Sequence, residues 1–141
     1  MRYLSIDFGA KRTGLAVGDA GSGIASPVGV IRTGGAEERL RQIGRVIAEH
    51  EPGALVVGVP LGADGSAGPA AGVSRAFGET LRQRFGLPVF EADERLTSAD
   101  ADERMARSGL THGQKKARRD ALAAAAILQR FFESGDAPPD A

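Results

Sequence analysis

The apolar positions in the first half of the chain fall into short runs that are typical of β-strands. Residues 2–8, 13–18 and 26–33 are rich in aliphatic and β-branched side chains, and glycine-containing turns separate them. This spacing predicts a three-stranded meander. A fourth run, residues 54–61, is apolar without alternation, which is typical of a strand that is covered on both faces.

The later apolar positions recur at helical intervals. The spacing predicts four helices, over residues 37–50, 69–85, 97–107 and 111–132. In the second helix, Val73, Phe77 and Leu81 form the predicted apolar face, and one more strand is predicted at residues 87–94. The order β-β-β-α-β-α-β-α-α therefore predicts an α/β fold, a mixed sheet with helices on its faces.

The length and charge of the chain add little to this picture but exclude several classes. A chain of 141 residues fits one domain, predicted over residues 1–133, with a disordered tail at 134–141. Acidic and basic residues number 18 each, so any footprint for nucleic acid must be local. Cysteine is absent, which excludes disulfides and thiolate metal sites. No apolar run approaches the ~20 residues of a membrane span, and no secretory signal is recognisable, so we expect a cytoplasmic protein.

Acidic residues follow two strands of the predicted sheet at the point where each strand ends. Asp7 closes the first strand, and the adjacent Asp93 and Glu94 close the last one. The crevice beyond the carboxyl ends of parallel strands is the usual ligand site of such a sheet. Because successive strand residues point to opposite faces, at most one of Asp93 and Glu94 is expected to share a cleft with Asp7.

A further acid, Asp120, falls on the face of the last helix that is predicted to pack against the sheet. Ala124, Ile127 and Phe131 follow it at helical spacing. An unpaired acid on a buried face is costly, so a neighbouring arginine or a metal ion must compensate it. Carboxylates that converge from distant parts of the chain are the ligands that Mg²⁺ or Mn²⁺ prefers, and such a site can hold two ions ~4 Å apart.

Each of these acids also has a purely structural interpretation. Asp7 precedes a glycine and could fix a turn through its side chain. Asp93 or Glu94 could pair with Arg95, and Asp120 with a basic residue beside it or across the core. The convergence of three acids on one edge of the sheet favours the functional interpretation.

Basic residues cluster next to two of the acids. The segment QKKARR at 114–119 carries four cations and no acid just before Asp120, and two further cations follow Asp7. Together they form the predicted footprint for nucleic-acid phosphates: Lys11, Arg12, Lys115, Lys116, Arg118 and Arg119. The alternative for such a run is a solvated helix face.

Four segments carry a resemblance that spans the chain from Tyr3 to Phe132. They are DFGAKRTGLAVGD, VVGVPLGADGSAG, PVFEADERLTSADA and KKARRDALAAAAILQRFF. In this order and spacing they resemble the YqgF (RuvX) family, nucleases of pre-16S rRNA that are related to Holliday junction resolvases. The sequence departs from the family pattern at Gly18, where serine is common, and at Gly62 and Ala63, where a polar residue is frequent.

The resemblance implies an RNase H-like fold with strand order 3-2-1-4-5 and a metal-dependent phosphodiesterase site. That site maps onto Asp7, the Asp93-Glu94 pair and Asp120. We expect Asp7, Glu94 and Asp120 to bind Mg²⁺ or Mn²⁺, with Glu94 preferred over Asp93 because its arm is longer.

The predicted function is therefore an endonuclease that processes the 5' end of pre-16S rRNA, as a monomer or homodimer, in contact with precursor rRNA or a ribosomal subunit precursor. Two alternatives stay open: a Holliday junction resolvase acting on branched DNA, and a non-catalytic ribosome-assembly factor. A protein kinase is excluded because no catalytic-loop signature accompanies the DFG at Asp7, and the two-lobed sugar kinases and actin-like ATPases are excluded by length.

Overall fold

A computed structural model of the chain describes residues 1–60, 68–93, 112–135 and 137–138, with the backbone alone for 112–118. The described strands are β1 (Arg2–Asp7), β2 (Arg12–Asp19), β3 (Ile24–Arg32), β4 (Ala54–Val59) and β5 (Val89–Asp93). The described helices are α1 (Ala36–His50), α2 (Pro69–Phe85) and α3 (His112–Ser134).

The five strands form one mixed sheet in the order β3-β2-β1-β4-β5, which confirms the predicted order. β2 runs antiparallel to both β1 and β3, whereas β1, β4 and β5 are parallel. The carboxyl ends of β1, β4 and β5 therefore share one edge of the sheet with the start of β2 and the end of β3. We call this edge the carboxyl edge.

The helices cover the two faces of the sheet. Leu4 and Ile6 point to the face that α1 and α2 cover, where they share a core with Leu55 and Val57 of β4. The alternate strand positions point to α3, and the buried cluster there includes Tyr3, Val56, Ile127 and Phe131. Every residue of β4 is buried, so the prediction of a strand covered on both faces is confirmed.

The face of α2 that packs on the sheet differs from the predicted one. Leu81 is buried as expected, but Val73 is 54% exposed. The buried positions are Ala71, Ser74, Gly78 and Leu81. A Cβ on Gly78 would lie 3.5 Å from Val89, so small residues at the contact bring α2 close to the sheet and turn Val73 outward.

Element ends differ from the predictions by a few residues. β1 ends at Asp7 rather than at Phe8, because Phe8 leaves the sheet and stacks on Phe77 of α2 with ring centroids 4.4 Å apart. α3 continues to Ser134, two residues beyond its predicted end. The predicted helix at 97–107 lies outside the described residues, and the disorder of the tail at 134–141 stays a prediction. In the part of the chain that the structure describes, no helix has the length and apolar character needed to cross a bilayer.

Candidate functional site

Asp7 lies at the carboxyl edge on the face of the sheet that α3 covers. Its alternate neighbours in β1 establish this orientation. The Tyr3 ring meets Phe131 of α3 with ring centroids 5.5 Å apart, and the Ser5 hydroxyl donates a 2.5 Å hydrogen bond to the Ala124 carbonyl of α3. Asp7 is the next residue on the same side, and it is partly buried.

Asp120 is brought to the same place by a glycine in β2. Gly14 is the residue paired with Asp7 in the β1–β2 ladder. A Cβ built on Gly14 would lie only 1.9 Å from the Asp120 carbonyl oxygen and 3.2 Å from the Ala121 nitrogen. The backbone of α3 thus rests directly on Gly14, and the side chains of Asp7 and Asp120 belong to one corner of the molecule.

The Asp120 carboxylate has a cationic partner from β2. The side chain of Asp120 is 24% exposed, and its Oδ2 lies 3.3 Å from Nε of Arg12. The predicted packing stripe is confirmed, since Ala124, Ile127 and Phe131 are all buried. The compensating arginine that the sequence required is therefore a residue distant in sequence that the fold brings next to α3.

Asp93 points away from this corner. It pairs with Val59 in the β4–β5 ladder, one position beyond the Gly58–Ala92 pair. Ala92 is buried in the cluster beneath α3, so by alternation Asp93 faces the side that α1 and α2 cover. Asp93 therefore does not lie on the same face as Asp7 and Asp120, and the neighbouring Glu94 lies outside the described residues.

The donors in this corner suit a divalent cation. Carboxylate oxygens are the ligands that Mg²⁺ and Mn²⁺ prefer, and the Asp120 carboxylate already attracts a cation in the form of Arg12. Within residues 1–60, 68–93 and 119–135, no three acidic or histidine side chains meet closely enough to form a metal-binding group. Two acids at the corner, Asp7 and Asp120, are within these ranges.

Cationic side chains surround the two acids. Lys11 and Arg119 are exposed, and the side chain of Arg12 is 47% exposed. The side chains of the other predicted phosphate contacts lie outside the described residues: Lys115, Lys116 and Arg118. Since α3 reaches Gly14 at Asp120, the preceding two turns of this helix continue past that contact.

Arg39 of α1 holds the loop between Asp7 and Arg12, a role that the sequence did not predict. It is 4% exposed, and its Nη2 donates hydrogen bonds to the carbonyls of Ala10 (2.6 Å) and Thr33 (3.0 Å). Its guanidinium carbon also lies 5.0 Å from the centre of the Phe8 ring. The loop that follows Asp7 is therefore fixed from below by a buried cation.

The sequence contains only a weak signal for Arg39. A cation near the N-terminus of a helix opposes the helix dipole, and the two residues before it are the favourable acids Glu37 and Glu38. The acceptors of Arg39 come from two loops, which only the folded chain brings together.

The comparisons with known proteins agree with this architecture. The family model described as "RuvX: Holliday junction resolvase" matches residues 1–134. A relative from Dechloromonas aromatica named "Putative pre-16S rRNA nuclease" is 44% identical over 131 residues, which covers 93% of this chain and 90% of the relative. A protein of the same name from Thiobacillus denitrificans is 45% identical over 132 residues, with the same coverage.

Two solved structures share the fold at low sequence identity. Thermus thermophilus RuvC in complex with a Holliday junction superposes with a TM-score of 0.55 at 20% identity, over 99% of both chains. The Fowlpox virus resolvase, also in complex with Holliday junction DNA, gives a TM-score of 0.59 at 13% identity, over 95% of this chain and 98% of that one. These similarities confirm the RNase H-like fold.

Proposed function

The chain belongs to the RuvX family, and we propose that it is a divalent-metal-dependent endonuclease that processes precursor 16S rRNA in the cytoplasm. Its curated relatives carry the name of nucleases that act on this RNA. The observation on which the proposal rests is the placement of Asp7 and Asp120 on either side of Gly14, beside exposed cations. Acids at such an edge suit a metal, and the cations suit a phosphodiester.

Three acids are proposed to hold the metal: Asp7, Asp120 and Glu94. Asp7 and Asp120 share one face of the carboxyl edge. Glu94 takes the third place in the proposal because Asp93, the other candidate at the end of β5, points to the opposite face. Asp93 is therefore proposed to support the end of β5 rather than to bind the metal.

A divalent cation bound by these acids would activate a water molecule for attack on phosphorus and stabilise the leaving 3' oxygen. The residues of this chain would do the rest. Lys11 and Arg12 would bind the nonbridging oxygens of the phosphate that is cleaved, because ammonium and guanidinium groups stabilise the charge that develops there. Arg39 would keep the loop that carries Lys11 in place.

The cations of α3 would bind neighbouring phosphates of the substrate. Arg119 is exposed one residue before Asp120, and three more cations precede it in the same helix: Lys115, Lys116 and Arg118. Contacts with phosphates position a nucleic acid without reading its sequence. Specificity for precursor rRNA is then expected to come from the shape of the RNA or from a ribosomal subunit precursor that presents it.

A second candidate function is the resolution of Holliday junctions. The description of the family favours it, because that description names a resolvase. A resolvase must cut two strands symmetrically, so this function would require a homodimer. The two candidates share the metal site and differ in the substrate and the oligomeric state.

One experiment separates the candidates. The purified protein is incubated with a precursor 16S rRNA transcript and with a four-way DNA junction, each in Mg²⁺, Mn²⁺ or EDTA. We expect metal-dependent cleavage of the transcript and little cleavage of the junction. Faster cleavage of the junction would support the resolvase, and binding of RNA without cleavage in either metal would support a non-catalytic assembly factor.

A further inference from the structure

Two arginines lie directly opposite each other at the carboxyl edge. In the β2–β3 ladder Arg12 pairs with Arg32, the last residue of β3. Arg12 points to the face that α3 covers, as its contact with Asp120 demonstrates. Directly opposed residues of neighbouring strands share a face, so Arg32 points to the same side.

This pairing is unfavourable in the protein alone. The Cβ atoms of directly opposed residues are about 4.5–5.5 Å apart, and like charges in this position destabilise a sheet. Arg12 is compensated by Asp120. Arg32 is exposed, and within the described part of the chain no ion pair or hydrogen bond reaches its guanidinium group. An anion from outside the chain would compensate it.

The backbone around Arg32 is held firmly. The Thr33 amide donates a 3.0 Å hydrogen bond to the Lys11 carbonyl. The Thr33 carbonyl in turn accepts a hydrogen bond from the buried Arg39, which also holds Ala10. The end of β3 and the loop after Asp7 therefore form one corner, so Arg32 keeps its place relative to Lys11 and Arg12.

We propose that Arg32 binds a backbone phosphate of the nucleic-acid substrate, adjacent to the phosphate at the two acids. The path of the substrate would then continue from α3 across Arg12 onto the edge strand β3. A guanidinium group suits this role because its planar array of donors matches two phosphate oxygens. This inference rests on the proposed function, because the phosphate belongs to the substrate of the nuclease.

The test measures binding without cleavage. A fluorescein-labelled single-stranded RNA is titrated with wild-type protein and with Arg32→Gln in EDTA at several salt concentrations. Each lost phosphate contact should reduce the slope of log affinity against log salt by about 0.7 for a single strand. The matched control is Arg45→Gln, an exposed arginine of α1 on the other face of the sheet, and Arg32→Lys retains the charge.

We expect Arg32→Gln to bind more weakly and with a smaller slope, whereas Arg45→Gln and Arg32→Lys keep the wild-type slope. An unchanged slope in Arg32→Gln, or an equal loss in Arg45→Gln, would overturn the inference. Cleavage of the same RNA by the wild type in Mn²⁺ is measured in parallel. If the wild type cleaves while the slope of Arg32→Gln is unchanged, only the inference fails; if the wild type neither binds nor cleaves, the proposed function fails with it.

Discussion

Replacing Gly14 with alanine should separate β2 from α3 at the candidate site. The added Cβ would lie 1.9 Å from the Asp120 carbonyl oxygen, whereas ordinary van der Waals contacts begin at 3.4 Å. The backbone of Asp120 must therefore retreat by the difference, about 1.5 Å, because the obstructing atoms belong to the helix backbone and cannot rotate away.

This displacement has two consequences of different size. Overpacking of this kind costs about 1–3 kcal/mol of stability, which leaves most of the protein folded. A misplacement of about 1 Å in a catalytic group costs on the order of a hundredfold in rate. Gly14→Ala should therefore lose far more activity than stability, because it moves Asp120 relative to Asp7.

The assay combines urea unfolding with single-turnover cleavage of a precursor 16S rRNA transcript in Mn²⁺. Gly29→Ala is the matched control: Gly29 also lies in a strand of this sheet, and a Cβ there would meet nothing within 4 Å. The control should keep wild-type stability and rate. If Gly14→Ala were folded and as active as Gly29→Ala, the close approach of α3 would not be what positions the site.

Three further predictions concern the charged residues. Arg12→Gln should bind Mn²⁺ more tightly, because a competing cation is removed, and bind RNA more weakly; calorimetry and fluorescence titration would detect the opposite directions, and equal losses in both would contradict the assignment. Glu94→Gln should lose cleavage while Asp93→Asn keeps most of it, and the reverse result would exchange their roles. Neutralising the four cations of α3 should weaken RNA binding with little sequence preference, lowering the salt slope by about 0.7 per lost contact on a single strand, whereas an unchanged slope would make the segment a solvated face: Lys115, Lys116, Arg118 and Arg119.

The pattern of apolar residues predicts the sheet and the position of Asp120 because both depend on the burial of aliphatic surface. The run at 54–61 predicts the central strand β4, and the spacing of Ala124, Ile127 and Phe131 after Asp120 predicts the face of α3 that packs on the sheet. The strand order follows from the family resemblance rather than from the apolar pattern.

The details that the sequence does not predict depend on contacts between distant segments. Val73 matches the spacing of an apolar face, but glycine and small residues on the neighbouring face let α2 approach the sheet and leave Val73 exposed. Arg39 is buried because the carbonyls of Ala10 and Thr33 meet above it. Neither the size of a helix contact nor a pair of loop carbonyls is encoded in a local pattern.

The central claim is that Asp7 binds a metal ion, and thermal unfolding of wild type and Asp7→Asn in EDTA and in excess Mn²⁺ tests it most directly. Without metal the variant should be as stable as wild type or slightly more stable, because clustered acids repel each other. Mn²⁺ at a hundredfold excess over its Kd should stabilise the wild type by about 2.7 kcal/mol and the variant much less. Asp19→Asn, at the other end of β2, should keep the full gain. A variant of Asp7 that melts lower without metal, yet gains as much from Mn²⁺ as the wild type, would contradict the account.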